Sequence, residues 1–191
     1  MATVTDSGLE VFPISVERYD QMVDAGVLDE DDKVELLRGV LSAMTPPGDG
    51  HRIAVTWLNG VIVRGVDPSR FTVGVQVPLR LPQLRSEPEP DLSVVPAGTF
   101  DRGGGAETAV LLIEVSDSTL ARDLRVKVGI YAEAGIPELW IVDVPHAVMR
   151  VHRRPDGDRY QEVGERGSGT LRALEQAIPP IDLDELFARL R

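Results

Sequence analysis

The chain contains no cysteine. Disulfides, cysteine-ligated zinc, iron–sulfur clusters and thiol catalysis are therefore excluded, and the composition fits a reducing cytoplasm. No apolar run approaches the roughly 20 residues that cross a bilayer. The first residues, MATVTDSGLE, lack a basic segment followed by an apolar one, so no signal peptide is expected. Internal repeats are absent too. A cytoplasmic protein with no membrane partner is the expectation. Positive charge is also short: 20 Lys and Arg stand against 31 Asp and Glu, giving a formal net charge of -11. That balance argues against a general nucleic-acid coat, because phosphate binding needs local positive potential. It leaves room for a nuclease, since arginine clusters and bound divalent cations reverse the field inside a cleft.

At 191 residues with 42% hydrophobic content, the chain suits one domain with a sizeable core. A helix is expected over residues 14–27, capped by Ser15 and stopped by Gly26. The acidic run from Asp29 to Asp32 reads as a solvated turn. VELLRGVLSAM alternates about Arg38-Gly39 and predicts a β-hairpin with Glu35 on its first arm. After the breaker cluster TPPGDG, residues 51–63 predict a helix with Asp49 as N-cap, and Ile53, Trp57 and Val61 spaced as a buried stripe. FTVGVQVPLRL predicts a strand over 71–81 that Pro78 limits. The glycines 103–105 lack the GK[ST] ending of a phosphate-binding loop and read as a flexible link. SDST supplies capping residues for a helix over 120–134. Beyond Pro145 the sequence predicts a closing hairpin about PDGD and a short helix capped by Asp182.

The chemistry gathers between Pro90 and Asp143. PDLSVV, AVLLIEV and ELWIVD read as three strands; Asp91 opens the first and Glu114 lies near the end of the second. If those two strands pair antiparallel, both carboxylates reach the same end of the sheet. A hard divalent cation such as Mg²⁺ would relieve their repulsion and activate a bound water. Lys127, on the following helix, would orient that water or stabilise developing negative charge. A plainer reading also fits: Asp91 as a turn former, Glu114 paired with a lysine, and Asp123 with Lys127 as an ordinary helix ion pair. Glu114 is the telling residue, because an acid inside LLIEV is costly to bury without a cation or hydrogen-bonding partner. His51 either bonds a neighbouring backbone group or faces a cleft.

The ordered run EPDLSVV, LLIEVSDSTLARD, Lys127 and YAEAGIPELWIVD closely resembles the Uma-two family of restriction endonucleases, in the PD-(D/E)XK nuclease superfamily. VELLRGVLSAMTPPGDGH is similar to the family's opening hairpin and helix, and the resemblance covers roughly residues 12 to 155. It implies an α/β fold with a restriction-endonuclease-like core: a central mixed β-sheet flanked by helices, with an N-terminal hairpin and a C-terminal hairpin extension over 146–191. It implies that Asp91 and Glu114 are metal ligands and catalytic residues, with Glu35 completing the metal shell. Ser116 stands where the superfamily's lysine is expected, and Lys127 resembles the migrated lysine of this branch. Asp123 matches an acid one turn earlier, and His51 a histidine frequent in the family. The implied activity is a Mg²⁺- or Mn²⁺-dependent DNA endonuclease working as a homodimer. The alternatives are a nuclease-fold module that only binds or assembles, and an enzyme acting on RNA or another phosphodiester.

Overall fold

The apolar runs around the two acids form the middle of a six-stranded sheet. The structure is a computed structural model that describes residues 3–4, 10–29, 31–102, 105–117 and 123–191, without the side chains of residues 3, 4, 10, 102 and 123. Glycines 103 and 104, the capping residues Ser118 and Thr119, and the expected helix start at Leu120 lie outside the described residues.

The chain falls into two units, Met1–Pro46 with Pro78–Glu89, and Pro47–Val77 with Pro90–Arg191. The smaller unit holds β1 (Thr3–Val4), β2 (Glu10–Val11), α1 (Val16–Asp24), β3 (Val34–Leu37) and β4 (Val40–Ala43). Ser15 caps α1 as expected, its hydroxyl accepting from the Arg18 N–H. The β3–β4 hairpin turns on Arg38 (φ 54) and Gly39 (φ 82). Two successive left-handed residues are what a two-residue turn needs to match strand twist. Gly39 also has no room for a side chain, because a Cβ there would lie 2.7 Å from that of Pro13. Asp29, Asp31 and Asp32 of the acidic run are exposed, and the Asp31 N–H donates to Asp29 Oδ1 as in a turn.

The larger unit runs α2 (Asp49–Gly65), β5 (Phe71–Val75), β6 (Leu92–Pro96), β7 (Leu111–Ser116), α3 (Asp123–Glu133), β8 (Glu138–Asp143), β9 (Val148–Asp156), β10 (Arg159–Arg166), β11 (Thr170–Leu171), β12 (Ile181–Asp182) and α4 (Leu183–Ala188). The sheet order is β10-β9-β8-β7-β6-β5. Only the β7–β8 pair is parallel, joined through α3; β5–β6, β6–β7, β8–β9 and β9–β10 are antiparallel. This is the mixed sheet with flanking helices that the resemblance implies. β7 and β8 are buried along their whole length, as strands covered on both faces require. Leu111, Ile113 and Val115 face a core shared with Ala54, Leu58 and Ile62 of α2 and Leu183, Leu186 and Phe187 at α4. The alternate residues Leu112, Glu114 and Ser116 take the other face.

Three local expectations need correction. The N-cap of α2 is Gly48, which makes no side-chain cap bond, and Asp49 instead pairs with Arg52 inside the first turn. The buried stripe of α2 is Ala54, Leu58 and Ile62, one residue on from the expected Ile53, Trp57 and Val61. Both triplets have the same spacing, so periodicity alone does not separate them. The small Ala54 lets the helix lie close to the sheet, while Ile53 stays 42% exposed. β5 stops at Val75 because Gln76 takes a left-handed conformation (φ 51), before Pro78 is reached.

The stripe assignment predicts unequal costs. Leu58→Ala should destabilise the protein by about 2–5 kcal/mol, and Ile53→Ala by less than ~1 kcal/mol, read from urea unfolding midpoints. Equal costs would return the core face to Ile53, Trp57 and Val61.

Candidate active site

In the antiparallel β6–β7 register Leu92 faces Ile113. One step further along, Asp91 stands against Glu114, at the end of the sheet where β6 begins. The Val115 N–H donates to Asp91 Oδ2 at 2.7 Å, tying the start of one strand to the end of the other. His51, in the first turn of α2, completes the Asp91 environment with its Nε2 2.9 Å from Oδ1.

Glu114 is only 5% exposed, in a strand whose neighbours on both sides are also in the sheet. Two groups one turn apart on α3 meet it. Lys127 Nζ lies 2.7 Å from Oε1, and the Tyr131 hydroxyl donates to the same oxygen at 2.5 Å. The helix therefore brings a cation and a hydroxyl to one oxygen of the carboxylate. Lys127 is itself buried.

Burial pushes the Glu114 carboxyl up to about 7; Lys127 pulls it back down, and Asp91 adds to the rise. His51 is raised, first by its hydrogen bond to Asp91 and against the effect of its own burial. Glu114 and Asp117 add to that rise. Asp117 follows β7 directly and lies against the start of α2, where a side chain at Gly48 would collide with its carboxylate. One end of the sheet thus gathers Asp91, Glu114, Asp117, Lys127, Tyr131 and His51.

Residue order does not mark Tyr131 as a partner of Glu114. Its i, i+4 spacing from Lys127 was the available signal, but an aromatic on the apolar line with Leu124 and Val128 reads first as core. Asp117 reads in the sequence only as one of the capping residues of SDST. Asp123 begins α3, one turn before Lys127, and its side chain lies outside the described residues. Glu35 belongs to the smaller unit, on β3, where its carboxylate accepts from the Glu89 N–H at 3.2 Å.

The donor set suits a hard divalent cation. Carboxylate oxygens are the preferred ligands of Mg²⁺, which also keeps waters. A carboxyl raised toward neutrality by burial and by a neighbouring acid has electrostatic repulsion for a cation to relieve. No group of three or more His, Cys, Asp or Glu among the described residues is arranged to hold a metal. The arrangement is thus an open pair of acids, in which water and substrate would supply the remaining ligands.

The raised groups fix the sign of a pH effect. Folded Glu114 binds a proton up to about 7 and an ordinary carboxyl only to about 4.5. Between those values the folded state holds more protons, so stability falls as pH rises through the window. His51, also raised, contributes stability that is fully present below its ordinary 6.5 and is lost as pH rises past its folded value. In EDTA the protein should therefore be more stable at pH 6 than at pH 8, with about 1 kcal/mol from Glu114. Glu114→Gln should remove that share of the slope in urea unfolding; an unchanged slope would contradict this assignment.

The comparisons agree with this architecture. The chain shares its fold with the crystal structure of "a putative nuclease belonging to DUF820" from Anabaena variabilis ATCC 29413, at a TM-score of 0.72 and 16% identity, covering 94% of this chain and 100% of that one. No curated protein matches. The model of the Uma2 family, described as "Putative restriction endonuclease", matches residues 16–184. With most of its length matched, the chain belongs to the Uma2 family.

Proposed function

We propose that the protein is a divalent-cation-dependent DNA endonuclease, with Asp91 and Glu114 as metal ligands and Lys127 as the catalytic amine. The carrying observation is the convergence of Lys127 and Tyr131 on Oε1 of Glu114, beside Asp91. Mg²⁺ or Mn²⁺ would be held by Asp91 and Glu114, with water and substrate as its other ligands. When bound, the ion supplies Lewis-acid activation of the scissile phosphate and of a water. The residues of the chain do the positioning. Lys127 carries positive charge next to the reacting phosphoryl group, where it stabilises the charge that develops during attack. Tyr131 restrains the carboxylate so that Lys127 stays on one side of it. His51 holds Asp91 in place through Oδ1, and Asp123 acts one turn away on the same helix. A single site per chain would cut one strand, so double-strand cleavage calls for a homodimer. The cytoplasm, where DNA is met under reducing conditions, is the proposed location.

Purified protein with Mg²⁺ or Mn²⁺ should nick supercoiled plasmid. Asp91→Ala, Glu114→Ala and Lys127→Ala should each lower the rate by at least ~10²-fold. Tyr131→Phe should lower it by roughly 10–100-fold, as for other groups that orient a metal ligand. Nicking at equal rates by wild type and Lys127→Ala would remove Lys127 from the mechanism. Wild type and variants inert alike on DNA and RNA would favour the binding or assembly module, and preferential loss of RNA in competition would move the substrate to RNA.

A further inference from the structure

The outward side of α2 carries a groove of about 530 Å³ lined by Arg52, Ile53, Thr56, Trp57 and Arg189. Ile53 and Trp57 belong to the stripe that periodicity marks as core, yet Ile53 is 42% exposed and Trp57 only half-buried. Two arginines stand over this apolar floor. The Arg189 guanidinium lies 5.9 Å from the centre of the Trp57 ring, and Arg52 is on the turn before it. A third, Arg64, reaches back along the same helix over Gly60, filling space that a side chain there would take. In a chain of net charge -11, α2 carries two arginines and a single acid, Asp49.

We propose that this groove is a stacking site for an unpaired nucleotide, with its base against Trp57 and its flanking phosphates on Arg52 and Arg189. The inference deepens the nuclease reading and rests on it. An indole presents a π-face to any base, and base–aromatic stacking is tolerant of sequence. Guanidinium groups suit phosphate through paired donors. Both arginines now hold exposed acids, Asp49 and Glu185. Exposed ion pairs are weak, so a phosphate can take their place. Thr56 adds a hydroxyl able to donate to or accept from a base edge. A second copy of the chain fits the groove poorly, because a two-fold contact would set the arginines of one copy against those of the other. The same helix begins at His51, which holds Asp91, so a strand lying along α2 leads toward the proposed cleavage centre.

Only two tryptophans are present, and Trp140 is fully buried with its indole N–H bonded to Glu138. Trp57 is therefore the indole a ligand can reach. The test titrates the full-length protein in EDTA with a labelled oligothymidylate, reading Trp fluorescence and anisotropy together. Fluorescence should be quenched as the strand binds. Trp57→Ala should weaken binding about 10-fold, within the range of a lost base stack, and Trp57→Phe should retain most of the affinity. Arg52→Glu with Arg189→Glu, both at exposed positions, should lower the slope of log affinity against log salt by about 1.4, two single-strand phosphate contacts. Binding by anisotropy with no quenching and no effect of these variants overturns the groove while plasmid nicking by the same protein leaves the nuclease reading standing. Preference for an acidic peptide over the oligonucleotide also overturns it. Failure to bind or cleave any nucleic acid removes both readings.

Discussion

A carboxylate set into the middle of a buried strand is the constraint around which the larger unit is arranged. Glu114 has strand neighbours on either side and sits on the sheet face opposite the α2 core. It cannot turn to solvent without a register slip, which would also carry Ile113 and Val115 out of that core. Its desolvation has to be met where it stands. The answer is α3, whose Lys127 and Tyr131 both reach a single carboxylate oxygen. The parallel β7–β8 pair requires a crossover in any case, and here the crossover helix carries the compensating groups.

β8 shows what a purely structural solution looks like. Glu138 and Asp143 are both fully buried at its two ends. Glu138 bonds Arg153 and the Trp140 indole through one oxygen and the Leu174 N–H through the other. Asp143 bonds His146 through one oxygen and Arg150 through the other. Those acids are saturated, and they pin the C-terminal hairpin and the chain beyond it to the sheet. Glu114 differs in being met by a lysine and a tyrosine hydroxyl from the crossover helix and in having its carboxyl raised to about 7 by burial. It also stands beside a second acid, Asp91, whose charge adds to the rise.

Much of this was legible in residue order because it rests on local chemistry. The alternation about Arg38-Gly39, the buried run around Glu114 and the Asp182 cap each specify an element through steric or hydrogen-bonding rules that act over a few residues. The shared end of Asp91 and Glu114 follows once their strands are antiparallel, and the structure makes them so. What periodicity could not settle was which of two equally spaced stripes on α2 meets the sheet. That choice depends on the size of Ala54 against Ile53 and on what lies opposite, which is tertiary information. Tyr131 was hidden for a related reason: a tyrosine on an apolar line differs from a phenylalanine only at its hydroxyl, and the hydroxyl's partner lies on another element. Gln76 ended β5 through a left-handed backbone that its residue type does not announce.

The most direct test of the whole account is a crystal structure of the protein soaked with Mn²⁺ and read by anomalous scattering. The account predicts an ion bound to Asp91 and to Oε2 of Glu114, with Lys127 still on Oε1. Ions bound only at surface acids such as Asp29, Asp31 and Asp32, with none at the buried pair, would contradict it.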